Sequence, residues 1–146
     1  MAIKYKEDKS YGFLIERTIK RIRQAFQKKL NEHNAGLTVD QWVILDKLQK
    51  NDGLSQNEIA DSTFKDAPTV TRIIDLLCKK GFTERVMDDN DRRRFKIHLT
   101  DLGKERISEI LPVVVELRRQ GWQSLTDEDY ITLIRILDTI YINYEA

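Results

Sequence analysis

From Tyr11 onward, apolar side chains recur at steps of three and four: Tyr11, Leu14, Ile15, Ile19, Ile22, Phe26 and Leu30, with Thr18 on the same face. That spacing predicts a long amphipathic helix with Ser10 at its N-cap. Asn31 to Gly36 breaks the pattern. A second helix is predicted after Thr38, with Trp42, Leu45 and Leu48 on one face and Asp52-Gly53 beyond its end. Ser55-Gln56-Asn57-Glu58 reads as a capping box, with Ile59 and Ala60 facing inward behind it. Asp66 caps a further helix, which tolerates Pro68 in its first turn. Val70, Ile73, Ile74 and Leu77 make its stripe, and Gly81 stops it after Lys79 and Lys80. The period then changes to two. Phe82, Glu84 and Val86 alternate with Thr83, Arg85 and Met87; Arg94, Lys96 and His98 alternate with Phe95, Ile97 and Leu99. Between them, Asp88-Asp89-Asn90-Asp91-Arg92 is polar and turn-forming, so this stretch predicts a two-stranded hairpin with a charged tip. Thr100 caps a long helix from Asp101 to about Gln123, kinked by Pro112. Thr126 opens the last helix, with acidic residues in its first turn and a stripe of Tyr130, Leu133, Ile134, Leu137, Ile140, Tyr141 and Tyr144.

A chain of 146 residues is long enough to bury one core without disulfides or a metal. Charged residues make up 34% of it, above the roughly 25% of an ordinary soluble domain. No apolar run approaches the roughly 20 residues of a membrane span. The opening MAIKYKEDKSYGF lacks the apolar stretch of a secretory leader, so a cytoplasmic protein is expected. The single Cys78 excludes an intrachain disulfide framework and a multi-cysteine zinc site. His33 and His98 are far apart in sequence, without evident partners, and no metal is expected. Neither a Gly-rich phosphate loop nor a Ser/His/Asp spacing stands out, which argues against an enzyme and against a cofactor. The formal net charge of +1 conceals an uneven layout. Residues 1–31 carry nine basic and three acidic residues, whereas residues 124–146 carry five acidic residues and one basic residue, Arg135. These segments are either solvated helix faces or surfaces for tail-to-tail pairing or a one-sided partner.

Two short helices followed by a charged hairpin make the arrangement of a winged helix-turn-helix. Each part alone has a plainer reading, as a helical hairpin and as a solvated turn, but their joint order favours the winged motif. The second helix of such a pair fits a major groove about 12 Å wide. Thr69 and Arg72 lie off its apolar stripe, one turn apart. Arginine bonds a guanine edge at two points, and threonine offers a hydrogen bond or meets a thymine methyl. Ser55 and Gln56 open the preceding helix, where free backbone N–H groups favour a phosphate. Arg92, Arg93 and Arg94 at the hairpin tip suit a narrow, A·T-rich minor groove, with Asp91 expected to pair with one of them and orient it.

The stretch from Leu37 to Gly103 resembles the MarR (multiple antibiotic resistance regulator) family of bacterial transcription factors. The matching pieces are LTVDQWVILDKL (37–48), GLSQNEIA (53–60), PTVTRIIDLL (68–77), KKGFTER (79–85) and DRRRFKIHLTDLG (91–103), in order and at family spacing. The resemblance implies a mainly α fold with a small β-hairpin wing. It implies a single domain over 1–146, with a DNA-binding lobe over 37–100 and dimerisation helices over 8–33 and 101–146. It further implies a homodimer on a palindromic double-stranded DNA site, with repression as the family default. Carried over by motif, Pro68, Thr69 and Arg72 face bases, Ser55, Gln56 and Thr71 contact phosphate, and Arg93 enters the minor groove beside Arg92. The sequence departs from the family in the turn Thr63-Phe64-Lys65-Asp66, where a small residue such as glycine is usual. Phe64 is expected to plug the core and Lys65 to reach the DNA backbone.

The resemblance also implies, for many relatives, release from DNA by a small aromatic molecule bound between the dimerisation helices and the winged lobe. Tyr11, Trp42, Arg118 and Trp122 are the candidates for lining such a site, or else are core and interface side chains. The family's peroxide-sensing branch places a reactive cysteine near the start of the first helix; none stands there, and Cys78 reads as buried and inert. The competing reading is a winged-helix module that binds a protein without specific DNA contact. Thr69, Arg72 and Arg93 together favour DNA.

Overall fold

The computed structural model describes residues 9–145; Lys4 and Lys6 of the basic N-terminal segment, and the first residue of the predicted helix 8–33, lie outside them. Six helices and three short strands follow in the order α1 (Tyr11–Glu32), α2 (Val39–Lys50), β1 (Leu54–Ser55), α3 (Gln56–Thr63), α4 (Ala67–Lys79), β2 (Thr83–Met87), β3 (Phe95–Leu99), α5 (Asp101–Gly121) and α6 (Asp127–Asn143). The caps explain most of these boundaries. Thr38, Ser55, Asp66, Thr100 and Thr126 each accept a hydrogen bond from the backbone N–H three residues on. At Thr38, Ser55 and Thr126 the residue at that third position returns the bond, completing a capping box. Ser10 occupies the predicted position before α1, but its side chain makes no capping bond there. Helix α5 runs on through Pro112 and ends at Gly121, two residues earlier than the sequence suggests.

The hairpin is part of a three-stranded antiparallel sheet rather than a sheet of two strands. Leu54 and Ser55 pair with Ile97 and Lys96, giving the order β1-β3-β2. Two residues are too few for a period-two signal, and Ser55 is at once a strand residue and a helix cap. The register Thr83↔Leu99, Arg85↔Ile97, Met87↔Phe95 places these six side chains on one face. Ile97 and Leu99 enter the core, and Met87 and Phe95 continue past its edge as exposed residues.

Ile44, Leu45, Leu48, Ile59, Val70, Ile74, Leu77 and Ile97 are fully buried and form the centre of the lobe. The core extends past residues 37–100. Phe26 and Leu30 from the end of α1 join it, as do Ile107, Ile110 and Val114 from the first half of α5. The two long helices are therefore rooted in the lobe. Helix α6, in contrast, buries no side chain.

Phe64 does not plug the core. It is 80% exposed. The turn between α3 and α4 needs a left-handed residue so that the N–H groups of Phe64 and Lys65 can both reach the Ala60 carbonyl. Phe64 adopts φ 56°, ψ 35°, a geometry that directs its ring away from the lobe and costs about 1–2 kcal/mol for a residue with a Cβ.

The junction between the sheet and α5 is unusually close. The Thr100 hydroxyl donates to the Gly81 carbonyl (2.6 Å) and accepts from the Gly103 N–H (3.0 Å). A Cβ on Gly103 would lie 2.1 Å from the Phe82 carbonyl oxygen. Gly103→Ala is therefore expected to destabilise the protein by about 1–3 kcal/mol. An unchanged Tm in thermal unfolding would show that the backbone can yield there.

Candidate nucleic-acid interface

The exposed edge of α4 is set by its buried stripe. With Val70, Ile74 and Leu77 in the core, Pro68 and Arg72 are exposed and Thr69 is partly so. The Asp66 carboxylate accepts from the Thr69 N–H at 2.8 Å, fixing the start of the helix. That bond, with a second from the Thr69 side chain, holds the Asp66 carboxyl below the ordinary carboxylate range. The Arg72 guanidinium lies 3.4 Å from the Thr69 hydroxyl, so the two predicted base readers are neighbours.

The phosphate-facing residues of the sequence reading divide into two groups. Ser55 is 7% exposed, and its hydroxyl accepts from the Glu58 N–H at 3.2 Å; its side chain serves the cap, not the surface. The Thr71 hydroxyl donates to the Ala67 carbonyl (3.0 Å) and receives the Gln56 amide nitrogen (2.9 Å), so its only proton is committed within the protein. Gln56 is partly exposed between α3 and α4. Its carbonyl oxygen accepts from Arg85 Nε at 3.3 Å. Arg85 also donates to the Asp75 carboxylate and places Nη1 3.9 Å from Cys78 Sγ. Sequence reasoning overlooked Arg85 as a site residue. Its only trace there was a basic residue at an inward-alternating position of a strand.

At the wing tip, Arg92, Arg93 and Arg94 are all exposed, and none of their side chains forms an ion pair among the described residues. Asp91 acts differently from expectation. Its carboxylate accepts from the Arg93 backbone N–H (3.0 Å), and its carbonyl accepts from the Arg94 N–H (3.0 Å). It shapes the turn that carries the arginines and leaves their guanidinium groups unpaired. An Asx bond of this kind competes well with a solvated ion pair because it spans only two residues.

Lys65 is held within the protein. Its ammonium lies 2.7 Å from Asp40 Oδ1, and the Arg23 guanidinium lies 2.6 Å from the same oxygen. The three residues tie α1, α2 and the α3–α4 turn together. Partial burial penalises the Asp40 charge, but hydrogen bonds from Lys65 and Arg23 outweigh it and hold the carboxyl below the ordinary range.

The four candidate effector residues do not converge. Trp42 is buried edge-on against Phe26, while its rim and Arg118 share an open groove of about 290 Å³ with Asp46, Gln49, Lys50, Leu111 and Val114. The Tyr11 hydroxyl bonds that of Tyr144, which raises the Tyr11 pKa. Trp122 packs on Tyr130 and donates to the Thr126 carbonyl at 3.0 Å. Cys78 is partly buried, with its sulfur 3.2 Å from the Thr83 hydroxyl. His98 has a neighbour that sequence did not show, Asp52 Oδ2 at 3.6 Å. Among the described residues, no group of three or more His, Cys, Asp or Glu side chains is placed to hold a metal, and no helix is long and apolar enough to cross a membrane.

A helix-turn-helix whose second helix presents Arg72 and the partly exposed Thr69, followed by a wing of three arginines unpaired among the described residues, defines a winged-helix DNA-binding protein. Residues 35–94 match the model of the MarR family. The chain is 30% identical over 117 residues to the helix-turn-helix transcriptional regulator YsmB of Bacillus subtilis, covering 79% of this chain and 80% of that one. It is 31% identical over 109 residues to the transcriptional repressor MprA of Escherichia coli, covering 73% of this chain and 62% of MprA. In three dimensions it superimposes on the S. aureus MepR–DNA complex with a TM-score of 0.84 at 25% identity, covering 93% of this chain and 99% of MepR. The chain belongs to the MarR family, whose members are transcriptional regulators rather than enzymes.

The Asp40 cluster makes a pH-dependent prediction. Because the folded carboxyl titrates below its ordinary value of 3.8, its contribution is fully present above that value and is lost as pH falls through the folded value. Asp40→Asn should cost about 0.5–1 kcal/mol at neutral pH, a modest figure because the pair is partly exposed. In urea unfolding the gap to wild type should narrow below about pH 4. A gap independent of pH would remove the charge of Asp40 from the account.

Proposed function

We propose that the protein is a homodimeric repressor that sets two copies of α4 into successive major grooves of a palindromic DNA site, in the cytoplasm. The observation that carries this reading is the polar edge of α4. Arg72 and Thr69 stand beside each other on a helix whose opposite face is locked into the core, and the wing ends in three arginines without carboxylate partners among the described residues. Three acidic groups of α4 and the wing are already occupied. Asp66 caps α4, Asp75 is paired with Arg85, and Asp91 holds the wing turn. A phosphate backbone thus meets basic groups whose own counter-ions would be solvent ions, which favours a salt-sensitive interaction.

Within this reading Pro68, Thr69 and Arg72 face bases, and Arg92 and Arg93 approach the minor groove. Gln56, rather than Ser55 or Thr71, meets phosphate. Lys65 serves the turn. The two half-sites should lie about one helical turn apart. Repression is inferred from the likeness to MprA, itself a transcriptional repressor. The groove at Trp42 and Arg118, with an indole rim and the Arg118 cation beside the paired Lys50 and Asp46, suits a small aromatic molecule as effector.

Selection of bound duplexes from a random pool, followed by fluorescence anisotropy on the enriched sequence, tests the reading. An inverted repeat should emerge. Arg72→Ala should cost about 1–3 kcal/mol and relax the preference at one position of each half-site. Arg93→Ala should weaken binding most on A·T-rich flanks. Equal retention of all sequences would instead favour the module that binds protein. Unchanged base preference in Arg72→Ala would exclude that side chain from readout.

A further inference from the structure

We propose that Arg85, a residue of the wing strand, is a positioning residue for DNA recognition: it fixes the Gln56 amide so that this corner of the interface presents an N–H donor. The inference rests on the DNA-binding reading above and adds a residue to it. Its basis is the direction of four consecutive hydrogen bonds. A guanidinium only donates, so the amide atom facing Arg85 Nε at 3.3 Å must be the Gln56 oxygen. The amide nitrogen then points the other way, to the Thr71 hydroxyl at 2.9 Å. Having accepted there, Thr71 gives its own proton to the Ala67 carbonyl at 3.0 Å. At the other end, Asp75 of α4 anchors the same guanidinium.

The chain of bonds leaves α4 at Asp75, crosses to β2 at Arg85, passes α3 at Gln56 and returns to α4 at Thr71. Each group has one orientation consistent with its neighbours. One N–H of Gln56 is used by Thr71, and the second is uncommitted among the bonds of this network. A phosphate oxygen accepts from that N–H and is repelled by an amide oxygen. Without Arg85 the network has a second arrangement, in which the Thr71 hydroxyl turns its proton from the Ala67 carbonyl to the amide oxygen and the amide is reversed. The arrangement also ties the wing strand to the recognition helix, so the two DNA-contacting elements share one fixed geometry. Arg85 is largely shielded (28% side-chain exposure) and spends its charge on Asp75, which is the environment of a support rather than of a phosphate ligand.

A double-mutant cycle on the selected operator decides between these roles. The proteins are wild type, Arg85→Met, Gln56→Ala and the double variant, with affinities measured by anisotropy at several salt concentrations. Positioning predicts roughly tenfold loss in each single variant and no further loss in the double, because Arg85 acts through Gln56. It also predicts that Arg85→Met leaves the dependence of log K on log salt unchanged. Gln56→Glu, which keeps an acceptor for Arg85 but removes the donor, should bind more weakly than Gln56→Ala. Losses that multiply in the double variant, with a salt slope lowered by about 0.9, would make Arg85 a phosphate ligand and overturn the proposal. Wild-type affinity in Arg85→Met would overturn it as well. If Arg85→Met lowers Tm substantially, Arg85→Lys takes its place in the cycle, since it keeps the charge opposite Asp75 but not the fork that also reaches Gln56. A wild-type protein that enriches no operator would refute the DNA-binding reading itself, which separates that failure from this one.

Discussion

Helix α6 and its C-cap residue Tyr144 present Tyr130, Ile131, Leu133, Ile134, Ile136, Leu137, Tyr141, Ile142 and Tyr144, and all nine are exposed in the single chain. The N-terminal half of α1 adds Tyr11, Phe13, Ile15, Ile19 and Ile22. A helix of this length is marginal in water on propensity alone and depends on burying an apolar face. An exposed apolar surface of this extent marks a contact site. In the proposed dimer a second copy supplies the cover. Opposite charge supports that pairing, since α6 opens with Asp127, Glu128 and Asp129 whereas α1 carries Arg17, Lys20 and Arg21. In that proposed dimer the spacing of the two α4 helices would follow from this association, because α1 and α5 are rooted in the lobe core at one end. What the apolar faces do to one another sets where each α4 can sit.

Within the lobe, the proposed DNA face is held in place by other interactions. Its apolar side is densely packed, and its polar side is a set of short, local hydrogen bonds. The caps at Ser55 and Asp66, the Asx bond at Asp91 and the Arg85 network each use a polar group that would otherwise oppose or misdirect a phosphate. The Asp40 cluster performs a related task behind them by holding the α3–α4 turn to α2 through Lys65. The strained left-handed Phe64 sits in that same turn. Its ring meets Tyr141 edge-on with 6.1 Å between centroids, a contact between the lobe and α6.

Much of this was legible in the sequence, for physical reasons. Apolar periodicity marks helices because burial is what makes them stable, and caps mark their starts because the first N–H groups need acceptors. Hence Thr38, Ser55, Asp66, Thr100 and Thr126 could all be read directly. The strand β1 could not, since two residues carry no period and their pairing with β3 is non-local. Phe64 was misplaced because hydrophobicity suggests burial, whereas here the backbone conformation dictates direction. Lys65 and Asp91 were assigned partners by charge alone. Their actual partners, Asp40 and the Arg93 N–H, are set by a tertiary contact and by a local turn. Arg85 was missed because its importance lies in joining three elements that are separated by up to 29 residues in sequence. Tyr11, Trp42, Arg118 and Trp122 share a chemical character but not a place, and only Trp42 with Arg118 lines one groove.

The dimer is the central claim, and sedimentation equilibrium of the DNA-free protein at micromolar concentration tests it most directly. The account predicts a single species of twice the 17.2 kDa chain mass. It also predicts that Leu137→Asp in α6 shifts the protein toward monomer and lowers its helix content. A wild-type monomer with fully helical α6 would contradict the account, because the apolar faces of α1 and α6 would then be stable in water without a second copy.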